Sequence, residues 1–200
     1  MPVSEIRSRI VVMSSRVYEM LELIQKAFME NKSEVLSQAM KKEAEINEFE
    51  KTLTATILEL SKSIKDMKDR KTLIALEQVV ESLERMGDEA ANIVERIEIK
   101  VAEQLRFSEL GVVQFNETFD TMKKSVELMR EFLKGKDSGT KERIIDNGFH
   151  VKELVERYRH EHADRLLAGI CTPMAANMFF DMIDFTGNLA RHASNIVKLF

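Results

Sequence analysis

Ser82–Ile97, SLERMGDEAANIVERI, is the stretch whose reading decides the fold. Inside it Ala90–Val94 reads AANIV, and 103 residues later Ala193–Val197 reads ASNIV. Its surroundings repeat as well. Met20–Ile24 (MLELI) resembles Ser125–Met129 (SVELM) at an offset of 105, and at that same offset Ile46, Phe49 and Glu50 fall on Val151, Leu154 and Val155. Three stretches in one order at a nearly constant offset mark an internal duplication. The chain therefore divides into two units of one plan, residues 1–104 and residues 105–200.

The plan is helical. Working back and forward from the opening stretch, Leu73, Leu76, Val80, Leu83, Gly87, Ala90, Val94 and Ile97 recur at three- and four-residue steps, the spacing of one buried helix face. Glu77, Glu81, Glu84, Asp88 and Glu95 run down its flank. Gly87 lies on the inner face, where glycine costs about 1 kcal/mol relative to alanine, so its presence there points to close approach by a neighbouring helix. Before this helix the pattern predicts two others, one from Ser4 to Asn31-Lys32 and one from a cap at Ser33 to Ile64, with a polar connection over Lys65–Lys71. After it come a fourth helix over Glu109–Leu133 with an apolar set that includes Val113, a glycine-bounded turn at 135–139, a fifth ending at Leu167, and a sixth entered by Thr172 as cap and Pro173 as first residue. The expected fold is all-α: two tandem three-helix bundles, six long antiparallel helices with short connections.

Composition agrees. Glycine (7) and proline (2) are scarce, while apolar residues at 44% can fill a core. A single cysteine, Cys171, excludes an intrachain disulfide, and a lone thiol fits a reducing compartment. The net charge of −4 with no clustered Lys/Arg argues against a nucleic-acid partner. The N-terminal MPVSEIRSRI has no signal-peptide apolar core, and no apolar run approaches the roughly 20 residues that span a bilayer. Phosphate-loop, dinucleotide-binding and nucleophile-elbow motifs are absent, no nucleophile–base pair is legible, and the chain is read as not an enzyme. His160-Glu161-His162 is not the H-E-x-x-H zinc pattern; His160 can pair with Asp164 on the surface, and His192 and a basic side of the fifth helix made by Lys152, Arg157, Arg159 and Arg165 read as solvated surface.

The sharpest chemistry lies on helices two and three. Glu84 and Asp88 are four apart and project from one side. On helix two, with Ile46 at the centre of the buried stripe, Glu50 falls about 40° and Glu43 about 60° from it, with Asn47 at its edge. If these helices pack antiparallel, carboxylates converge, and an oxygen-rich cluster between facing helices suits hard or borderline cations. The alternative is a solvated acidic flank paired with Arg85 or Lys42.

Leu83–Ile93, LERMGDEAANI, resembles the signature of the PhoU family of phosphate-signalling proteins, and the resemblance extends over essentially the whole chain. Residues 43–50, EAEINEFE, stand where that family has a second acidic motif. The resemblance implies the tandem-bundle fold and a cytoplasmic location, peripheral to the inner membrane. It implies binding to phosphate transporter components and a sensor histidine kinase, and iron, zinc or manganese held by Glu43, Asn47, Glu50, Glu84 and Asp88, with Asn47 replacing one acid. In the second repeat Gly148, Lys152, Gly187 and Arg191 stand where the acids belong, so one of two metal sites is expected to be lost, with Arg191 neutralising remaining acids in a cation's stead. Residues 165–173, RLLAGICTP, are similar to the PhoU-like domain of sodium–phosphate cotransporters, which leaves a transporter accessory as an alternative; a metal-free scaffold is another. A homodimer is expected from the broad apolar face of helix four, Phe115, Phe119, Met122 and Phe132.

Overall fold

The computed structural model describes residues 3–135 and 139–200, the side chain of Ser33 excepted. It consists of α1 (Val3–Glu30), α2 (Ser33–Ser63), α3 (Met67–Ala102), α4 (Glu109–Leu133), α5 (Thr140–Leu167) and α6 (Pro173–Lys198), with no strand among the described residues. Helix boundaries follow local chemistry. Asp66 accepts hydrogen bonds from the backbone of Lys68 and Asp69, Ser108 from Gly111 and Thr172 from Ala175, each satisfying a donor that a helix start leaves unpaired. The cap at Asp66 starts α3 inside the polar stretch that reads as a connection in the sequence. Lys32, not Ser33, is the N-cap residue of α2, and it makes no side-chain cap. Gly169, at φ +70°, stops α5. Of the expected turn, Gly135 and Gly139 take positive φ, and residues 136–138 lie outside the described residues.

Each repeat is a three-helix bundle, and the two bundles are fused. Helix α1 packs on α2, α3 and α4; α3 packs on α1, α2 and α6; α6 packs on α3, α4 and α5. Four helices, α1, α3, α6 and α4, thus close a central ring, with α2 and α5 laid against opposite sides of it. Polar pairs fix an antiparallel register across the ring. Arg96 Nε meets Asp181 Oδ2 at 2.9 Å between α3 and α6, and Gln25 Nε2 donates to Asp120 Oδ1 at 2.7 Å between α1 and α4.

Three neighbours explain why α3 buries more than one stripe. Besides the predicted face it buries Val79, Met86, Ile93 and Lys100, at seven-residue steps. Helix α6 buries a broad face and leaves one stripe, with Arg191 and Lys198, exposed. Phe28, Phe107, Phe115, Phe119 and Phe179 form a run of ring contacts that ties α1, the α3–α4 connection, α4 and α6 together at one end. This consumes the face that motivated a homodimer: Phe115, Phe119 and Met122 are fully buried within the chain, and Phe132 is half-buried against Phe200. Val113, expected in that face, is exposed.

Candidate functional site

The seam between α2 and α3 closes at Gly87. A Cβ there would lie 3.2 Å from Ile46 Cγ2, so the glycine sets the closest approach of the two helices, as its inner-face position predicts. The five candidate ligands flank this point. Glu43, Asn47, Glu50 and Glu84 are half-buried, and Asp88 is exposed. Asn47 Nδ2 donates to Glu43 Oε1 at 2.5 Å one turn back, and Thr54 Oγ1 donates to Glu50 Oε1 at 3.2 Å. Across the seam, Glu84 is held above the usual carboxylate range, by burial first and then by the charges of Asp88 on its own helix and Glu50 on α2. Antiparallel packing thus brings Glu50 and Asp88 near enough to Glu84 to act on its charge.

Two observations bear on a cation. Asn47 Oδ1 is buried with no hydrogen-bond partner, an orphaned oxygen donor beside an excess of negative charge. The donor set, all oxygen, fits a hard or borderline cation in kind. Among the described residues, however, no three His, Cys, Asp or Glu side chains stand grouped as a finished ion cage. Of the local cations weighed as partners, Arg85 pairs with Glu81 at 2.5 Å and Lys42 with Glu19 and Glu45 at 3.1 and 3.3 Å. Neither forms an ion pair with the five candidates, although the charge of Arg85 partly offsets the crowding at Glu84.

The equivalent seam of the second repeat is different in character. The offsets of 105 on helix two and 103 on helix three carry Glu43, Asn47, Glu50, Glu84 and Asp88 onto Gly148, Lys152, Val155, Gly187 and Arg191. All five line one groove of about 570 Å³ between α5 and α6. Arg191 donates to Asn188 at 3.3 Å and acts across the ring on Glu89 of α3, whose carboxyl burial raises and whose anionic form Asn188 and Arg191 favour.

Burial of histidine and arginine at the ring is invisible in the sequence. His192, read there as surface, is buried on α6, and burial together with Arg191 and Arg85 pushes it down to about 4. Arg165, also read as surface, is buried with His162 at the end of α5. Arg165 donates to Gln114 Oε1 at 2.6 Å and to His162 Nδ1 at 2.7 Å, and the imidazole stacks on Phe179 with centroids 4.1 Å apart. A guanidinium only donates, so Nδ1 accepts and the ring proton sits on Nε2. That nitrogen is 3.6 Å from Cys171 Sγ. The cysteine therefore has a histidine neighbour that sequence spacing does not reveal, but this histidine offers the sulfur an N–H donor rather than a base. Burial and Arg165 push the imidazole down to about 4, which keeps it neutral. The pair joins the end of α5 to the turn before α6.

Fold and site together define a duplicated helical scaffold with one acidic and one basic inter-helix seam. Residues 10–97 match the PhoU domain family model, which places the first repeat in that domain family. Over nearly its whole length the fold is that of solved PhoU structures. It superposes on PhoU from Pseudomonas aeruginosa with a TM-score of 0.92 at 18% identity, covering 98% of this chain and 94% of that one. For the phosphate transport system regulatory protein PhoU from Streptococcus pneumoniae the values are 0.86, 15%, 98% and 91%. For a PhoU-like protein from Shewanella oneidensis they are 0.69, 14%, 97% and 96%. No curated protein matches the sequence.

Proposed function

We propose that the chain is a regulator of phosphate uptake that works by binding other proteins at the cytoplasmic face of the membrane, phosphate transporter components and a sensor histidine kinase among them. The observation that carries this reading is the PhoU domain match over residues 10–97, which supports a phosphate-transport regulator role, combined with a whole chain of PhoU fold. The physics suits a scaffold. The central ring buries an aromatic and aliphatic core that holds long helices rigid, the one cysteine faces a proton donor, and no described helix is long and apolar enough to cross a membrane. Repeat units 1–104 and 105–200 are taken as the two halves of this scaffold.

In the same reading Glu43, Asn47, Glu50, Glu84 and Asp88 would hold iron, zinc or manganese. A bound cation supplies the positive charge that the α2–α3 seam lacks. The chain's own contribution is the close Gly87–Ile46 contact, which brings carboxylates of two helices to one seam, and Asn47, whose free oxygen points to a missing partner. The RLLAGICTP stretch favours a second reading, an accessory of a sodium–phosphate cotransporter. Both readings are tested by purifying the chain from its own cells after cross-linking. Recovery of an ABC-type phosphate transporter or a histidine kinase supports the first, recovery of a sodium-coupled transporter the second, and recovery of neither refutes both.

A further inference from the structure

The second seam carries a charge reversal that loss of a cation site alone does not require. Five positions with a summed charge of −4 in the first repeat (Glu43, Asn47, Glu50, Glu84, Asp88) carry +2 in the second (Gly148, Lys152, Val155, Gly187, Arg191). The seam has been rebuilt around the change. A Cβ on Gly148 would come within 2.3 Å of Ser194 Oγ, and one on Gly187 within 3.3 Å of Val155 Cγ2, so α5 and α6 now meet through glycines where the first repeat has glutamates. A side chain at 148 would have to displace the Ser194 hydroxyl.

The groove along this seam, about 570 Å³, is in the range of small-molecule sites, which combine an apolar bed with a few placed polar groups. Its bed is Ile145, Val155 and the two glycines, and Phe149, 61% exposed, stands at its edge as an unpartnered ring. Its cations are Lys152, Arg159, Arg191 and Lys198; its acids are Glu156 and Asp184. Arg159 is bonded to Asp184, and Lys152 lies 3.6 Å from Glu156. Among the described residues Arg191 and Lys198 have no carboxylate within ion-pair distance. They are seven residues apart on α6, about 10 Å along its axis. An extended phosphate chain laid along the helix can contact both at once. Arg and Lys here offer a fork and a point charge, the two usual phosphate partners.

We propose that the α5–α6 groove binds a nucleoside di- or triphosphate, its phosphate chain along Arg191 and Lys198 and its base against Phe149. This assignment is independent of the phosphate-uptake reading. It is tested on the full chain by titration calorimetry with ATP and with inorganic phosphate, in a chelator at low ionic strength. Saturable one-to-one binding of ATP is expected. Arg191→Glu and Lys198→Glu, both at exposed positions, should each weaken it about tenfold or more, the loss of a charge-assisted contact. Phe149→Ala should weaken it too, and Lys62→Glu, on α2, should not. Thermal melts confirm that each variant is folded. Absence of ATP binding overturns the proposal, as does affinity unchanged in both α6 variants, or orthophosphate binding as tightly as ATP. A wild type that is dimeric without nucleotide and becomes monomeric in Arg191→Glu would assign the groove to a second copy and likewise overturn it.

Discussion

Lowering the pH from 7 to 5 should weaken this protein through two histidines that never face solvent. In an unfolded chain a histidine takes its proton near pH 6.5. In the folded chain His162 and His192 do so only at about 4. Because the folded-state value is the lower one, the unfolded state binds more protons between these limits, and stability falls as pH drops through that window. Above pH 6.5 nothing is lost. Each pH step below it costs about 1.4 kcal/mol per histidine, so at pH 5 each has removed roughly 2 kcal/mol and the pair roughly 4, a large part of the 5–15 kcal/mol typical of a domain. The physical cause differs little between them: His162 is stacked on Phe179 with Arg165 already donating to Nδ1, and His192 is buried with Arg191 and Arg85 near it. The assay is urea unfolding at pH 7, 6 and 5, wild type against His162→Gln/His192→Gln. The wild-type midpoint should fall steeply between pH 6.5 and 5 and that of the double variant should fall much less. A wild-type midpoint flat over that range, or an equal fall in both proteins, would refute the reasoning.

Other consequences concern the two seams. With chelator present, Asp88→Asn should raise the melting temperature by a few degrees, because it removes a charge that opposes ionisation of Glu84; an unchanged or lower value would count against the crowding described for that seam. Elemental analysis of protein purified without a metal-binding tag should find iron, zinc or manganese in the wild type and none in Glu84→Ala/Asp88→Ala, and a metal-free wild type would remove the ion from the account. Gly148→Ala should gain less than the roughly 1 kcal/mol that alanine usually adds over glycine in a helix, because the new methyl displaces the Ser194 hydroxyl. Ser194→Ala in the same chain should restore most of that shortfall, since the hydroxyl is what the new methyl meets. A double variant no more stable than Gly148→Ala would mean that the hydroxyl is not what the methyl meets.

Periodicity alone locates all six helices, because each keeps one stripe of apolar residues toward its own bundle. What periodicity misses is the second contact. Val79, Met86, Ile93 and Lys100 become core only once α3 meets α6, and no local pattern announces a neighbour a hundred residues away in sequence. The same interface swallows His192, polar by type and next to Arg191, and leaves it neutral. The start of α3 is hidden for a different reason: a lysine-rich stretch looks like a loop, while the side chain of Asp66 is enough to begin a helix in it. At the acidic seam, residue spacing foretells the meeting of Glu50, Glu84 and Asp88, and the glycine foretells the close approach. It does not foretell the bond between Asn47 and Glu43, which depends on which rotamer the asparagine adopts. The duplication supplies the correspondence between the seams, but only the packed helices show that Gly148, Lys152, Val155, Gly187 and Arg191 share one groove.

The claim that the chain regulates phosphate uptake is tested most directly by measuring labelled phosphate entry into cells grown in ample phosphate, with and without the chain. Cells that lack it should show a changed uptake rate, returned to normal by the wild-type chain supplied in trans. Uptake identical in the presence and absence of the chain would contradict it.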